Sequence, residues 1–253
     1  MDAKEYQLLA GSRDAQLLVG EVMARGKELE HLEGTAGIAT RMVYLVLAKS
    51  LQKKKRFRFE SLSCLVIGAL SLAGKINGYA GKSCQKAVEL QRERVKYFEG
   101  VGGIWVGERQ AIVFTDPEHG TEKEASPESL LQTEVVLASI LAFRFVFGDM
   151  HRYMGSGGFG FGCDLGVLGM VGVVPVEVKK TAWVILLDVQ RLPLGLYFSE
   201  ESIVLATVRV SWMIYCHKKH KAIIPDSATD DVIFLEKEIM NLFIKNSEAT
   251  VGD

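Results

Sequence analysis

Residues 61–76, SLSCLVIGALSLAGKI, are apolar on almost every side of a helix and yet end near a lysine. Leu62, Leu65, Val66, Ala69, Leu70, Ala73 and Ile76 recur at the offsets of one helical face, while Ile67 and Leu72 carry apolar surface elsewhere. A helix that is hydrophobic most of the way round must be packed by several neighbours, so this stretch predicts a helical bundle built around it. Lys75 suits the negative end of the helix dipole, but Asn77 and Gly78 already supply a stop. The lysine is left available for another task.

At 253 residues, 48% of them hydrophobic, the chain has room for one large or two small globular domains. Its formal net charge of −1 speaks against broad binding to a phosphate backbone, which shows as a basic surplus or stripe, so no direct nucleic-acid contact is expected. The one concentrated basic run, Lys53-Lys54-Lys55-Arg56-Phe57-Arg58, reads as a solvated loop between two helices, with a docking or localisation patch as the alternative. The four cysteines, Cys64, Cys84, Cys163 and Cys216, contain no C-x-x-C pair and offer no zinc framework. A reducing cytosolic or nuclear setting follows, and no cofactor or metal is expected. No apolar run of signal-peptide type opens the sequence, and the apolar stretch around 166–176 is too short and glycine-rich to span a membrane.

In chain order, residues 1–14 read as polar and loosely attached. Helical periodicity begins near Ala15, with Leu17, Leu18, Val22 and Met23 apolar, and a second helix over 37–50 places Ala39, Met42, Val43, Val46 and Leu47 on one face. The central helix comes next, then a charged amphipathic helix over 82–97. Between 100 and 124 the period changes, and Ile104-Trp105-Val106 and Ala111-Ile112-Val113-Phe114 flank a turn, predicting a small hairpin. Ser126-Pro127-Glu128 forms an N-cap, a first-turn proline and a dipole-matched acid, so a helix is expected from there to Phe143. Leu130, Leu137, Ile140 and Leu141 make its buried side, while Leu131, Glu134, Val135, Ala138 and Ala142 make a second stripe with an acid among small apolar residues.

Residues 155–172 are glycine-rich, but the strand, lysine and spacing of a phosphate loop are missing, and a linker or interrupted helix is the plainer reading. Three more helices follow at 176–189, 200–216 and 231–245. The middle one looks buried on most sides despite Arg209. Each half of the chain thus has one apolar helix among amphipathic ones, the outline of two tandem helical bundles in an all-α protein.

The sequence resembles the cyclin family, within it the transcription-type members grouped as cyclins C, K, L and T. Ala39-Thr40 with Val43 and Lys49-Ser50 is similar to the family's second box helix, and Leu72-Ala73-Gly74-Lys75-Ile76 to its leucine-alanine-x-lysine-isoleucine signature. Glu134 with Leu137, Leu141 and Phe143 resembles the fifth box helix. The second half adds Thr181-Ala182-Trp183, Asp188, Leu194-Gly195-Leu196 and Glu201-Ser202-Ile203-Val204-Leu205-Ala206 in the family's order. The chain departs from the pattern in its long hairpin excursion, in Asp149-Met150-His151 where histidine-proline-histidine is common, and in the glycine-rich run.

The resemblance implies two five-helix cyclin boxes, at 15–145 with an insertion at about 98–126 and at 146–246. It implies a nuclear regulatory subunit, not an enzyme, that binds and activates a cyclin-dependent protein kinase acting in transcription or RNA processing. A third subunit is possible. Lys75 and Glu134 match the pair that meets the kinase's regulatory helix, with Leu72, Ile76, Leu131, Val135, Ala138 and Phe143 as the apolar surround. A protein like transcription factor IIB, which binds DNA and polymerase, is the alternative, but its zinc ribbon and basic surface are missing from this sequence. A cell-cycle cyclin is the second alternative, although the docking motif of the first helix is not evident at 15–23. An enzyme finds little support. His31, His119, His151, His217 and His220 make no nucleophile-and-base arrangement, and the last two suit a helix C-terminus.

Overall fold

The computed structural model describes residues 3–28, 33–78, 102–115, 127–144, 147, 150, 175–219 and 229–251. The helix expected at 82–97, the glycine-rich run at 155–172 and the Ser126 cap lie outside them. Helix dominates, with eight α-helices and three short strands among the described residues. The chain separates into two compact units, Met1–Phe147 with Arg191–Leu196, and Gly148–Gln190 with Tyr197–Asp253.

The first unit contains α1 (Ala3–Gly11), α2 (Arg13–Glu28), α3 (Glu33–Lys53), β1 (Phe57–Phe59), α4 (Leu62–Ile76), β2 (Gly103–Val106), β3 (Arg109–Phe114) and α5 (Pro127–Ile140). Helix α4 is its centre: every residue from 64 to 74 is buried, and α2, α3, α5 and β1 pack around it. Ser61 caps its start, its hydroxyl oxygen accepting from the Cys64 amide at 3.2 Å. At the other end the Asn77 amide donates to the Ala73 carbonyl at 2.9 Å, and Gly78 turns the chain out with φ 78°.

The expected loose N-terminus is instead an ordered helix. In α1, Tyr6 and Leu9 are buried one turn apart, and the Gln52 amide of α3 donates to the Glu5 carboxylate at 3.1 and 3.2 Å, which together hold the segment down. Ser12 then caps α2, its oxygen accepting from the Ala15 amide at 3.2 Å while its proton goes to the Trp105 carbonyl at 2.7 Å. Asp14 accepts from the Trp105 amide at 2.9 Å, so the start of α2 anchors the hairpin on both sides of one strand residue.

That hairpin turns at Gly107, whose φ of 60° suits a residue without a side chain, and β3 begins at Arg109. It is two-thirds of a three-stranded sheet of order β1-β3-β2. Strand β1 runs parallel to β3, with Phe57, Arg58 and Phe59 opposite Ile112, Val113 and Phe114. The basic run is therefore not a loop throughout: Lys53 ends α3 and Phe57–Phe59 is a strand with Phe59 buried. The buried Ser50 hydroxyl lies 2.6 Å from the Lys55 carbonyl and 3.1 Å from that of Ala111, joining the end of α3 to the sheet.

The Arg191–Leu196 segment belongs to the same unit. The buried Tyr44 hydroxyl donates to the Arg191 carbonyl at 2.5 Å, and Arg41 donates to that of Gly195 at 3.2 Å.

The second unit contains α6 (Val176–Val189), α7 (Glu200–Lys219) and α8 (Asp230–Val251), with α7 packed against both others. Ser199 and Thr229 cap α7 and α8 through their side-chain oxygens. Arg209, buried in the middle of α7, is neutralised by an ion pair with Glu236 of α8. A buried arginine is tolerated only with such a partner, which resolves the misfit of a cation inside an apolar helix. His217 is exposed near the end of α7, and His220 lies outside the described residues.

Candidate partner-docking site

Helices α4 and α5 approach closely because Gly68 faces Thr133. A Cβ added to Gly68 would meet Thr133 Cγ2 at 2.6 Å, well inside any real contact. About two turns beyond Gly68, Lys75 leaves the apolar part of α4. Side chains on a helix lean toward its N-terminus, which brings the ammonium back toward α5. There Lys75 Nζ forms an ion pair with Glu134 Oε2.

The two partners sit in different environments. The Lys75 side chain is 49% exposed and that of Glu134 only 9%. The carboxylate is thus a nearly closed-off anion held in place by a cation that reaches the surface. Lys75 retains donors for a partner's carbonyls, because an ammonium has three and this pair uses one.

Apolar surface stands beside this polar pair. Leu131 and Val135, one turn apart on α5, are 60% and 54% exposed. Phe143, just past the end of the helix, is 66% exposed. Leu72 and Ala138 are buried and belong to the packing of the free chain, while Ile76 is half-buried. Of the eight residues that the sequence assigns to this site, Lys75 and Glu134 are joined directly, and Lys75, Leu131, Val135 and Phe143 are open to solvent.

Phe143 is not helical, contrary to the sequence reading. Helix α5 closes with the Phe143 amide donating to the Ala138 carbonyl at 2.8 Å and the Ala142 amide to that of Ser139 at 3.0 Å. This is the Schellman arrangement, but with φ 53° at both Ala142 and Phe143 where glycine is usual. From α3, Lys49 donates to the Ile140 carbonyl at 2.5 Å, a cation on an orphan carbonyl at the negative helix end. Burial first, then the nearby cations Lys53 and Arg144, hold the Lys49 ammonium below the usual lysine range.

Gly68 and Thr133 are the site residues that sequence reasoning missed, and Ala142, which the sequence places on the second stripe of the helix, lies instead in its closing turn. An isolated glycine inside a strongly apolar helix was the available sign of a close helix approach. Thr133 gave none. Among the described residues no three His, Cys, Asp or Glu side chains gather as a metal site, and no described helix is long and apolar enough to cross a membrane. Compared with known protein families, the sequence matches no family model, and comparison with curated proteins gives no match.

Proposed function

We propose that this chain is a cyclin, the regulatory subunit of a cyclin-dependent protein kinase, of the type acting in transcription or RNA processing. On this reading the two units are tandem cyclin boxes and the hairpin is an insertion in the first. One observation carries the proposal: a lysine at the end of the central helix pairs with a glutamate of the helix packed against it, beside the exposed apolar side chains Leu131, Val135 and Phe143. Exposed apolar groups around a preformed polar pair suit a partner that buries its own apolar side chains and offers backbone groups to the charges.

Such a partner is the regulatory helix of a kinase small lobe. Phosphoryl transfer requires the ion pair between the kinase's catalytic lysine and the glutamate of that helix, as well as its metal-binding aspartate. A subunit that binds only the helix-in state shifts the population toward it, and reversing a 1:99 ratio takes about 5.5 kcal/mol of differential binding. The surface pair and its apolar surround would supply part of that difference.

The test is affinity purification from the protein's own cells, comparing the wild type with Lys75→Glu/Glu134→Lys. The exchange keeps opposite charges together but inverts what the surface offers a partner. A kinase recovered with the wild type and lost with the exchange supports the reading. Recovery of polymerase subunits without a kinase overturns it in favour of a protein like transcription factor IIB.

A further inference from the structure

The basic run has a second property that kinase binding does not use. Lys53, Lys54, Lys55, Arg56, Arg58 and Arg144 are all exposed, and among the described residues none of them makes an ion pair. Glu60 follows shortly after in the chain and is not paired with them either. Two helix ends gather these cations. Helix α3 closes in a Schellman turn, with Lys54 at φ 51° and the Lys55 amide on the Ser50 carbonyl at 3.2 Å. Helix α5 closes in the same way just before Arg144, and Lys49 ties the two ends together through the Ile140 carbonyl.

Helix dipoles do not account for this much charge. Two C-termini present together roughly one negative charge. With Lys49, seven cations stand on or beside them. We propose that this turn, residues 53–58 together with Arg144, is a docking site for an acidic peptide segment bearing a phosphorylated serine or threonine.

Three observations favour a compact phosphorylated peptide. The chain holds 30 Lys and Arg against 31 Asp and Glu, so with seven of the cations concentrated here the rest of the chain carries 23 basic against 31 acidic residues. At physiological salt the field of the turn fades within about 8 Å, a reach that suits a short charged segment better than a long nucleic acid or a membrane plane. Next, β1 is an edge strand, paired with β3 and with no other strand among the described residues. An extended peptide can lie along such an edge while its charged side chains meet Arg58 and the preceding turn. Finally, arginines match phosphate oxygens in pairs, and a phosphate dianion relieves crowded cations more than a single carboxylate does. An unfolded localisation signal is a poorer description, because Lys53 is helical and Phe57–Phe59 is strand.

Fluorescence anisotropy on the full chain tests this, independently of whether a kinase binds. The probe is a labelled peptide with one phosphoserine flanked by glutamates, compared with its unphosphorylated twin. The phosphopeptide should bind about tenfold more tightly, and Lys54→Ser/Lys55→Ser/Arg56→Ser should lose about tenfold in affinity with an unchanged melting curve. Arg144→Gln should lose about fivefold, while Lys180→Ser, at an exposed cation of α6, should lose nothing. Equal binding of the two peptides, no binding, or binding that survives the triple substitution overturns the proposal. So does tighter retention of a single-stranded oligonucleotide or of phosphatidylserine vesicles than of the phosphopeptide.

Discussion

Gly68 and Thr133 set the separation of the two helices that carry the candidate site. With Thr133 Cγ2 only 2.6 Å from where a Cβ on Gly68 would stand, alanine at this position must push α5 away from α4. Overpacking of this kind costs about 1 to 3 kcal/mol. Gly68→Ala should lower the urea midpoint accordingly, and adding Thr133→Ser, which deletes the offending methyl, should recover at least half of the loss. Additive destabilisation by the two substitutions would show that the contact is not what holds the helices close.

The Lys75–Glu134 pair predicts an asymmetry in stability. Removing the carboxylate frees a lysine that is already half in water, whereas removing the lysine strands an anion that is 9% exposed. Lys75→Met should therefore destabilise more than Glu134→Gln, the former by about 1 to 3 kcal/mol. A double-mutant cycle through chemical denaturation should give a coupling of at least about 0.5 kcal/mol. Equal effects of the two single changes would mean that Glu134 is far better solvated than its burial indicates.

What could be read from the sequence followed from which physical effects are local. The continuous apolar surface of 61–76 left no option but a central helix, and α4 is buried throughout its middle. The hairpin was visible as a change of period. Strand β1 was not, because Phe57-Arg58-Phe59 is only one period of alternation inside a basic run, and its partner Ile112–Phe114 lies some fifty residues away. Helix α1 was missed because only two of its residues, Tyr6 and Leu9, are buried, too few for a periodic apolar pattern. At the site, Lys75 and Glu134 were legible as a pair only through the resemblance; nothing in either local segment points to the other. The exposure of Phe143 depends on a helix end with alanine where glycine normally marks the stop, so the apolar pattern ran on past the true terminus.

Ala142 and Phe143 make separable predictions for stability and binding. At φ 53° an L-residue carries about 1 kcal/mol of strain that glycine does not, partly offset by the greater freedom of glycine in the unfolded chain. Ala142→Gly should leave the melting temperature unchanged or slightly raised, whereas Ala142→Val, β-branched at the same backbone angles, should lower it clearly. Phe143→Ala removes a ring that is 66% exposed and should change stability by less than about 0.5 kcal/mol. If the proposed docking surface is correct, the same substitution should sharply reduce recovery of the kinase. Full recovery of the partner with Phe143→Ala would remove that residue from the surface.

Tyr44 gives the first unit an alkaline limit. Its hydroxyl is buried and donates to the Arg191 carbonyl at 2.5 Å, and burial pushes its pKa well above the ordinary tyrosine value of about 10. Above that value the unfolded chain loses the phenolic proton while the folded chain keeps it. The folded state then binds more protons, so stability must fall as pH rises. Below about pH 10 both states are protonated and the contribution is fully present. Tyr44→Phe should cost about 0.5 to 1.5 kcal/mol at neutral pH through the lost hydrogen bond. It should also flatten the alkaline arm: denaturation midpoints measured from pH 8 to 11 should converge for wild type and variant above pH 10. Parallel curves across that range would show that the Tyr44 hydroxyl ionises as freely in the folded chain as in the unfolded one.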